Sequence, residues 1–284
     1  DGLSFSGDRF FYGNPLASKG NYNRKEWFGT ACCPSNIARL VSSIGNYIYA
    51  GSDEGIWVNL LIGSETTIST GGARVNLEME SGLPWNGNVQ LTVSPAKKQN
   101  FELRIRIPGW LSKPVPGDLY TYEDEQELSP VIRVNDKAFA FTSDKGYAVL
   151  KRNWKKGDKV SIELPMQVRR IRSNPAVKQN ENRIALQYGP LVYCVEGIDN
   201  PTGAGTILLP PGTTVKPVFE SALLGGINTL VFEAPAITIS EDGRQVSTTT
   251  RKIKAIPYYS WNNRGDSDMQ VWLPTLVNKI SINE

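Results

Sequence analysis

The sequence predicts a mainly β chain, two antiparallel β-sandwich domains behind a single helix, and three observations predict it. Apolar and polar residues alternate over many short runs, turn residues punctuate those runs, and a helical period occurs in one place only.

Residues 1 to about 34 are rich in Gly, Asn and Ser and carry no sustained period, so they read as a long loop. Phe10, Phe11, Tyr12, Tyr22, Trp27 and Phe28 argue that this loop is ordered, because disordered segments are poor in aromatics. The helical period follows. Ile37, Leu40, Val41, Ile44 and Ile48 fall on one helix face, Ser35 or Asn36 would cap its start after Pro34, and Gly51 would stop it.

Strands come next. Phe101 to Ile107 alternates strictly, with Phe101, Leu103, Ile105 and Ile107 on one face and charges on the other. Val89–Val93, Val131–Val134 and Val160–Leu164 repeat the theme, with turns expected at Pro108-Gly109, Asn135-Asp136-Lys137 and Lys156-Gly157-Asp158. A second strand set covers Ile184–Tyr188, Leu191–Val195, Leu230–Phe232, Ile237–Ile239 and Lys252–Ile256, with a Gly/Pro-rich stretch between Asp199 and Pro217. A boundary near Pro165-Met166 divides the sets. The domains are then 1–50, 51–165 and 166–271, with 272–284 returning to the first sandwich.

The chain has 284 residues, 40% hydrophobic and 21% charged, with a net charge of +3. That describes an ordinary globular protein, and no apolar run is long enough to cross a bilayer as a helix. Arg169-Arg170-Ile171-Arg172 is the densest basic run and reads as solvated surface, so neither membrane nor nucleic acid is an expected partner. The chain has no histidine, which excludes a Ser-His-Asp triad, a Cys-His pair and histidine-based zinc motifs within it.

Three cysteines remain, and two of them, Cys32 and Cys33, are adjacent at the helix entrance. Helix N–H groups and the positive end of the dipole lower a nearby thiol's pKa, favouring the thiolate, which is both nucleophile and metal ligand. Spacing alone leaves three readings open: apolar packing, a vicinal disulfide, or thiolate chemistry. Two adjacent thiols cannot complete a tetrahedral zinc site. Cys194 lies in an apolar strand and reads as core. Tyr258, Tyr259 and Trp261 read as packing aromatics before sugar-stacking ones, and Glu26 as a solvated loop carboxylate.

The run from Glu26 to Leu40, EWFGTACCPSNIARL, follows Phe11-Tyr12-Gly13-Asn14-Pro15-Leu16, and together they resemble the end of the catalytic domain of glycoside hydrolase family 127. The resemblance continues through Gly189-Pro190-Leu191-Val192-Tyr193, through Ala255 to Gly265, and to Val271-Trp272-Leu273-Pro274. It implies the final loop and helix of an (α/α)6 barrel followed by two β-sandwiches. It further implies a β-L-arabinofuranosidase-like retaining hydrolase with a zinc cofactor. By that resemblance Cys32 is the nucleophile, Cys33 and Cys32 are on the metal, and Tyr12 binds substrate. The acid/base glutamate, the other zinc ligands and the sugar-binding histidines belong to an upstream barrel segment, expected as this chain's missing partner, so the chain alone is expected to be inactive. The expected substrate is an L-arabinose-containing glycan; a homodimer and a bacterial cytoplasmic or periplasmic location stay open. The rival reading is a non-catalytic carbohydrate-binding or scaffolding module, which leaves the cysteine pair unexplained.

Overall fold

The structure is a computed structural model describing residues 2–29, 32–114, 118–124, 126–240 and 245–277. It is mainly β, with few helices, and divides into two units. A middle unit holds Ala38–Lys113 and Gln126–Met166; an outer unit holds Asp1–Ile37, Pro114–Glu125 and Gln167–Glu284.

The middle unit contains a six-stranded and a five-stranded sheet. Spatially the first runs Lys137–Ala138, Val131–Val134, Asp158–Glu163, Asn88–Pro95, Ala73–Ser81, Ser64–Thr70. The second runs Thr142–Asp144, Tyr147–Trp154, Gln99–Arg106, Gly55–Val58, Tyr49–Gly51. Alternation decides which side chains are inside: Ala73, Val75, Leu77 and Met79 of one sheet and Phe101, Leu103 and Ile105 of the other are buried. Val75, Leu77, Leu103 and Ile105 belong to one apolar cluster with Trp154. All pairings are antiparallel except Gly55–Val58 against Gln99–Arg106. A Cβ on Gly55 would lie 2.2 Å from the Glu102 carbonyl oxygen, so only glycine permits that approach. Asn135 and Asp136 both adopt positive φ, making the tight two-residue hairpin expected there.

The outer unit is built on one ten-stranded sheet. Its path is Tyr120–Tyr122, Val168–Ser173, Arg183–Tyr188, Leu191–Glu196, Val246–Pro257, Ile227–Ile239, Lys216–Glu220. Asp268–Gln270 pairs with both Leu191–Glu196 and Ala17–Lys19, which ties the N-terminal loop into this sheet.

Several expectations are corrected. Residues 51–165 are not one continuous unit: Tyr120–Tyr122 pairs with Val168–Ser173, where Glu123 and Asp124 meet the basic run. Arg169 is accordingly not solvated; it is buried over the Tyr122 ring at 3.6 Å and ion-paired to Asp124, while Arg170 and Arg172 pair with Glu123. Leu273–Pro274 pairs with Arg183–Ile184, and Leu273 is in that unit's core, so this part of the tail does not return to the first sandwich. Residues 278–284 lie outside the described residues. Leu230–Phe232 and Ile237–Ile239 are parts of one strand, Ile227–Ile239, which continues through Pro235, whose carbonyl accepts the Leu208 N–H.

The helix spans Cys32–Ser43, three residues earlier than its expected start, with a further turn at Gly45–Ile48. Pro34 fits inside the first turn because the N–H it lacks has no intrahelical acceptor there. Of the apolar face, Ile48 is buried while Leu40, Val41 and Ile44 are exposed.

Candidate functional site

The site grows out of the N-terminal loop of the outer unit. Gly2–Leu3 pairs with Phe10–Phe11, and Phe10 exchanges two backbone hydrogen bonds with Lys25, closing the loop on itself. Phe10 and Phe11 are both buried, Phe11 only 1% exposed, and their neighbour Tyr12 is accessible. Phe28 packs against Phe10 and Tyr12, with ring centroids at 5.0 and 5.4 Å.

Tyr12 reaches the cysteines. Its hydroxyl lies 3.8 Å from Cys32 Sγ, and the two sulfurs are 3.5 Å apart. Both thiols are free; Cys32 is exposed, Cys33 is partly covered, and both occupy the first turn of the helix. The Cys33 thiol and the Tyr12 hydroxyl stabilise a Cys32 thiolate, as do the backbone N–H groups of the helix start, so its pKa lies below that of an ordinary thiol. The reciprocal effect holds the Tyr12 proton: hydrogen bonding with Cys33 and Cys32 pushes its pKa up to about 12.

Two thiolates on one tetrahedral zinc, with bonds of ~2.3 Å, lie roughly 3.8 Å apart. The 3.5 Å pair has the spacing to supply two such ligands. Among the described residues, no group of three or more His, Cys, Asp or Glu side chains forms a metal site. Glu26 is paired with Arg9 at 3.2 Å on the surface.

Cys194 is buried, and burial pushes its thiol well above the ordinary range, which fits a core residue. Trp261 is 2% exposed and stacked on Phe11, so it has no face for a sugar. Tyr258 donates to the Pro15 carbonyl at 2.8 Å, and Tyr259 is exposed, edge-on to Phe5.

One functional feature escaped sequence reasoning. Arg24 is buried under the loop, its guanidinium 4.3 Å from the Phe11 ring centroid. It donates to the carbonyls of Gly2, Trp261 and Tyr259 at 2.9, 2.7 and 3.4 Å. Burial lowers its pKa to about 10, with Glu196 acting in the other direction. Arg9 and Arg24 both lie among the loop aromatics, and nothing in the sequence singles out Arg24.

The mainly β chain thus presents an accessible cysteine pair in the first turn of its N-terminal helix, facing Tyr12 of the preceding loop. Three domain descriptions of one family match in order: the β-L-arabinofuranosidase GH127 catalytic domain over residues 1–46, the GH127 middle domain over 55–166, and the family 127 C-terminal domain over 168–274. The chain belongs to glycoside hydrolase family 127. A non-reducing end β-L-arabinofuranosidase of Bifidobacterium longum is 31% identical, over 95% of this chain and 43% of its own length. A solved family 127 β-arabinofuranosidase superposes with a TM-score of 0.93 at 39% identity, covering 99% of this chain and 44% of that one. A β-L-arabinofuranosidase from Geobacillus stearothermophilus T6 gives 0.84 at 33% identity, over 96% and 44%. The chain thus spans less than half the length of these relatives.

Proposed function

We propose that this chain is the C-terminal part of a retaining glycoside hydrolase that releases β-L-arabinofuranose, or a related L-sugar, from a glycan, with Cys32 as its nucleophile. The observation that carries this reading is the exposed Cys32 thiol, with a lowered pKa, facing the Tyr12 hydroxyl at 3.8 Å and Cys33 Sγ at 3.5 Å. The likeness to β-L-arabinofuranosidases supports the substrate class. Residues 1–50 are then the end of an (α/α)6 catalytic barrel and the strands that follow are two β-sandwich domains.

In this mechanism Cys32 Sγ attacks the anomeric carbon as the glycosidic C–O bond breaks. A carboxylic acid from the upstream barrel segment protonates the leaving oxygen. That carboxylate then takes a proton from water, which attacks the same carbon, breaks the C–S bond and returns the Cys32 thiolate. Tyr12 contributes by donating its proton toward Cys32 Sγ, orienting the sulfur without deprotonating at working pH. Cys33, with Cys32, would hold a zinc ion whose remaining ligands come from the upstream segment. Bound zinc supplies positive charge that keeps the thiols ionised.

The test uses the full-length protein. Metal analysis is expected to find one zinc per chain, and a substrate-derived electrophile is expected to label Cys32 first. A zinc-free enzyme with full activity, or a Cys32→Ser variant with unchanged turnover, overturns the mechanism.

A further inference from the structure

The outer unit devotes an unusual set of buried polar contacts to a segment far from the cysteines in sequence. Trp261 stacks on Phe11 with centroids 4.6 Å apart and planes 13° from parallel, and Tyr22 covers another side of Phe11 at 5.2 Å. Phe11 directly precedes Tyr12, so the backbone that the packed Phe11 ring anchors is the one from which the Tyr12 side chain departs.

The Trp261 segment is itself pinned. Glu196, 1% exposed, accepts the Asn262 N–H at 2.7 Å and an Arg264 guanidinium N–H at 2.6 Å, and Asp199 takes the other side of Arg264. Asn262 donates to Asn23 Oδ1 at 3.0 Å, and Asn263 Oδ1 accepts the Phe5 N–H at 3.0 Å. Arg24 closes the arrangement by joining the Trp261 and Tyr259 carbonyls to that of Gly2. The bonds of Arg24 to the Trp261 and Tyr259 carbonyls, of Asn262 to Asn23 and of Phe5 to Asn263 join residues 259–263 to residues 5–24, while Glu196 and Asp199 hold Asn262 and Arg264 from within the 196–264 segment.

We propose that Trp261, clamped by Arg24 and by the Glu196–Arg264 pair, is a positioning residue that fixes Tyr12 against Cys32 by stacking on Phe11. The inference rests on the reading of Tyr12 and Cys32 as parts of the active site. Its physical basis is that a stacked, fully buried ring has one low-energy orientation, whereas an aliphatic side chain there would let Phe11 tilt. The loop carries no regular ladder beyond its few bridges, so these long-range contacts determine its geometry.

A double-mutant cycle in the full-length protein tests this. Trp261→Leu is expected to lower kcat at least about tenfold while KM stays within about twofold; in a Tyr12→Phe background the same change should cost less than about twofold. Trp261→Phe, which keeps a ring, should restore kcat to within about threefold of wild type. Iodoacetamide alkylation of Cys32, followed by peptide mass spectrometry, is a second arm that requires no sugar chemistry. Trp261→Leu should slow it at least about threefold, again only when Tyr12 is present. Equal factors in both backgrounds would overturn the inference, because Trp261 would then not act through Tyr12. If the wild-type protein does not cleave arabinofuranosides, the functional reading fails and the alkylation cycle alone decides this one. If Trp261→Leu does not fold, Arg24→Lys takes its place in the same cycle, since a lysine keeps the charge but cannot span three carbonyls.

Discussion

In the middle unit the deeply buried side chains, Leu77, Leu91, Leu103, Leu150 and Trp154, belong to regular strands, whereas buried Phe11, Arg24 and Trp261 of the outer unit belong to a loop and its supports. Strand register alone puts the first group inside, because every second residue must face the partner sheet. Nothing periodic places the second group. It is held by a stacked ring, a cation on three carbonyls and an ion pair, each a specific interaction that a single substitution removes. The difference teaches where chemistry can be installed: the accessible tyrosine sits on the irregular segment and the thiol in the helical turn that follows it, and the rigidity that a ladder would supply comes from buried polar anchors instead.

Substitutions that separate activity from stability probe this contrast most strongly. Cys32→Ala in the full-length protein is expected to lower kcat by more than about 10³-fold, and because Cys32 is exposed the melting midpoint of the metal-free protein should stay put. A variant that loses stability but keeps turnover would place Cys32 with the packing residues. In the middle unit the opposite is expected. Leu103→Ala opens a cavity at a fully buried position and should cost about 2–5 kcal/mol in denaturant unfolding. A cost below about 1 kcal/mol would mean the two-sheet core is loosely packed.

How much of this was legible in the sequence follows the same division. Gln99–Arg106 was found within two residues because its period is two and its inward residues are large. Ser64–Thr70 was not, since Ile68 is its only large apolar residue and its exposed edge position demands no more. The excursion of Tyr120–Tyr122 into the other unit was hidden because its partner strand carries Arg169, Arg170 and Arg172, which read locally as a solvated run until Glu123 and Asp124 meet them. The cysteine pair was visible as an oddity of spacing, but its separate roles and Tyr12 came from the family motif. Arg24 was invisible: a loop arginine is ordinarily solvated, and the carbonyl it reaches is 237 residues away in the chain.

The polar anchors of the outer unit should themselves contribute measurably to stability. Glu196 is buried and bonded to both Asn262 and Arg264, so Glu196→Gln leaves Arg264 with Asp199 alone and weakens one side of the clamp. The expected loss is about 1–3 kcal/mol, smaller than for Leu103→Ala because one carboxylate partner remains. High salt should not rescue it, because the pair is shielded from solvent ions. A neutral outcome would shift the weight of the clamp to Arg24.

The middle unit has one buried acid of its own, and its response to pH should be the smallest of these effects. Burial raises the pKa of Asp158, but the hydrogen bonds from Asn135 and the Lys155 N–H, with Arg152 at 3.4 Å, outweigh it and hold the carboxyl below the usual range. A folded-state pKa below the unfolded value of about 3.9 means the ionised group favours the folded state. That contribution is complete at neutral pH. It declines once the unfolded chain begins to take up the proton near pH 4, and it is gone when the pH has passed below the folded value. Asp158→Asn should therefore be less stable than wild type by about 1–2 kcal/mol at pH 7, with the gap closing as the pH falls below about 4. A gap that stayed constant through the acid range would show that Asp158 acts by packing and hydrogen-bond geometry alone, which would bring the middle unit's one polar anchor under the same rule as its apolar strands.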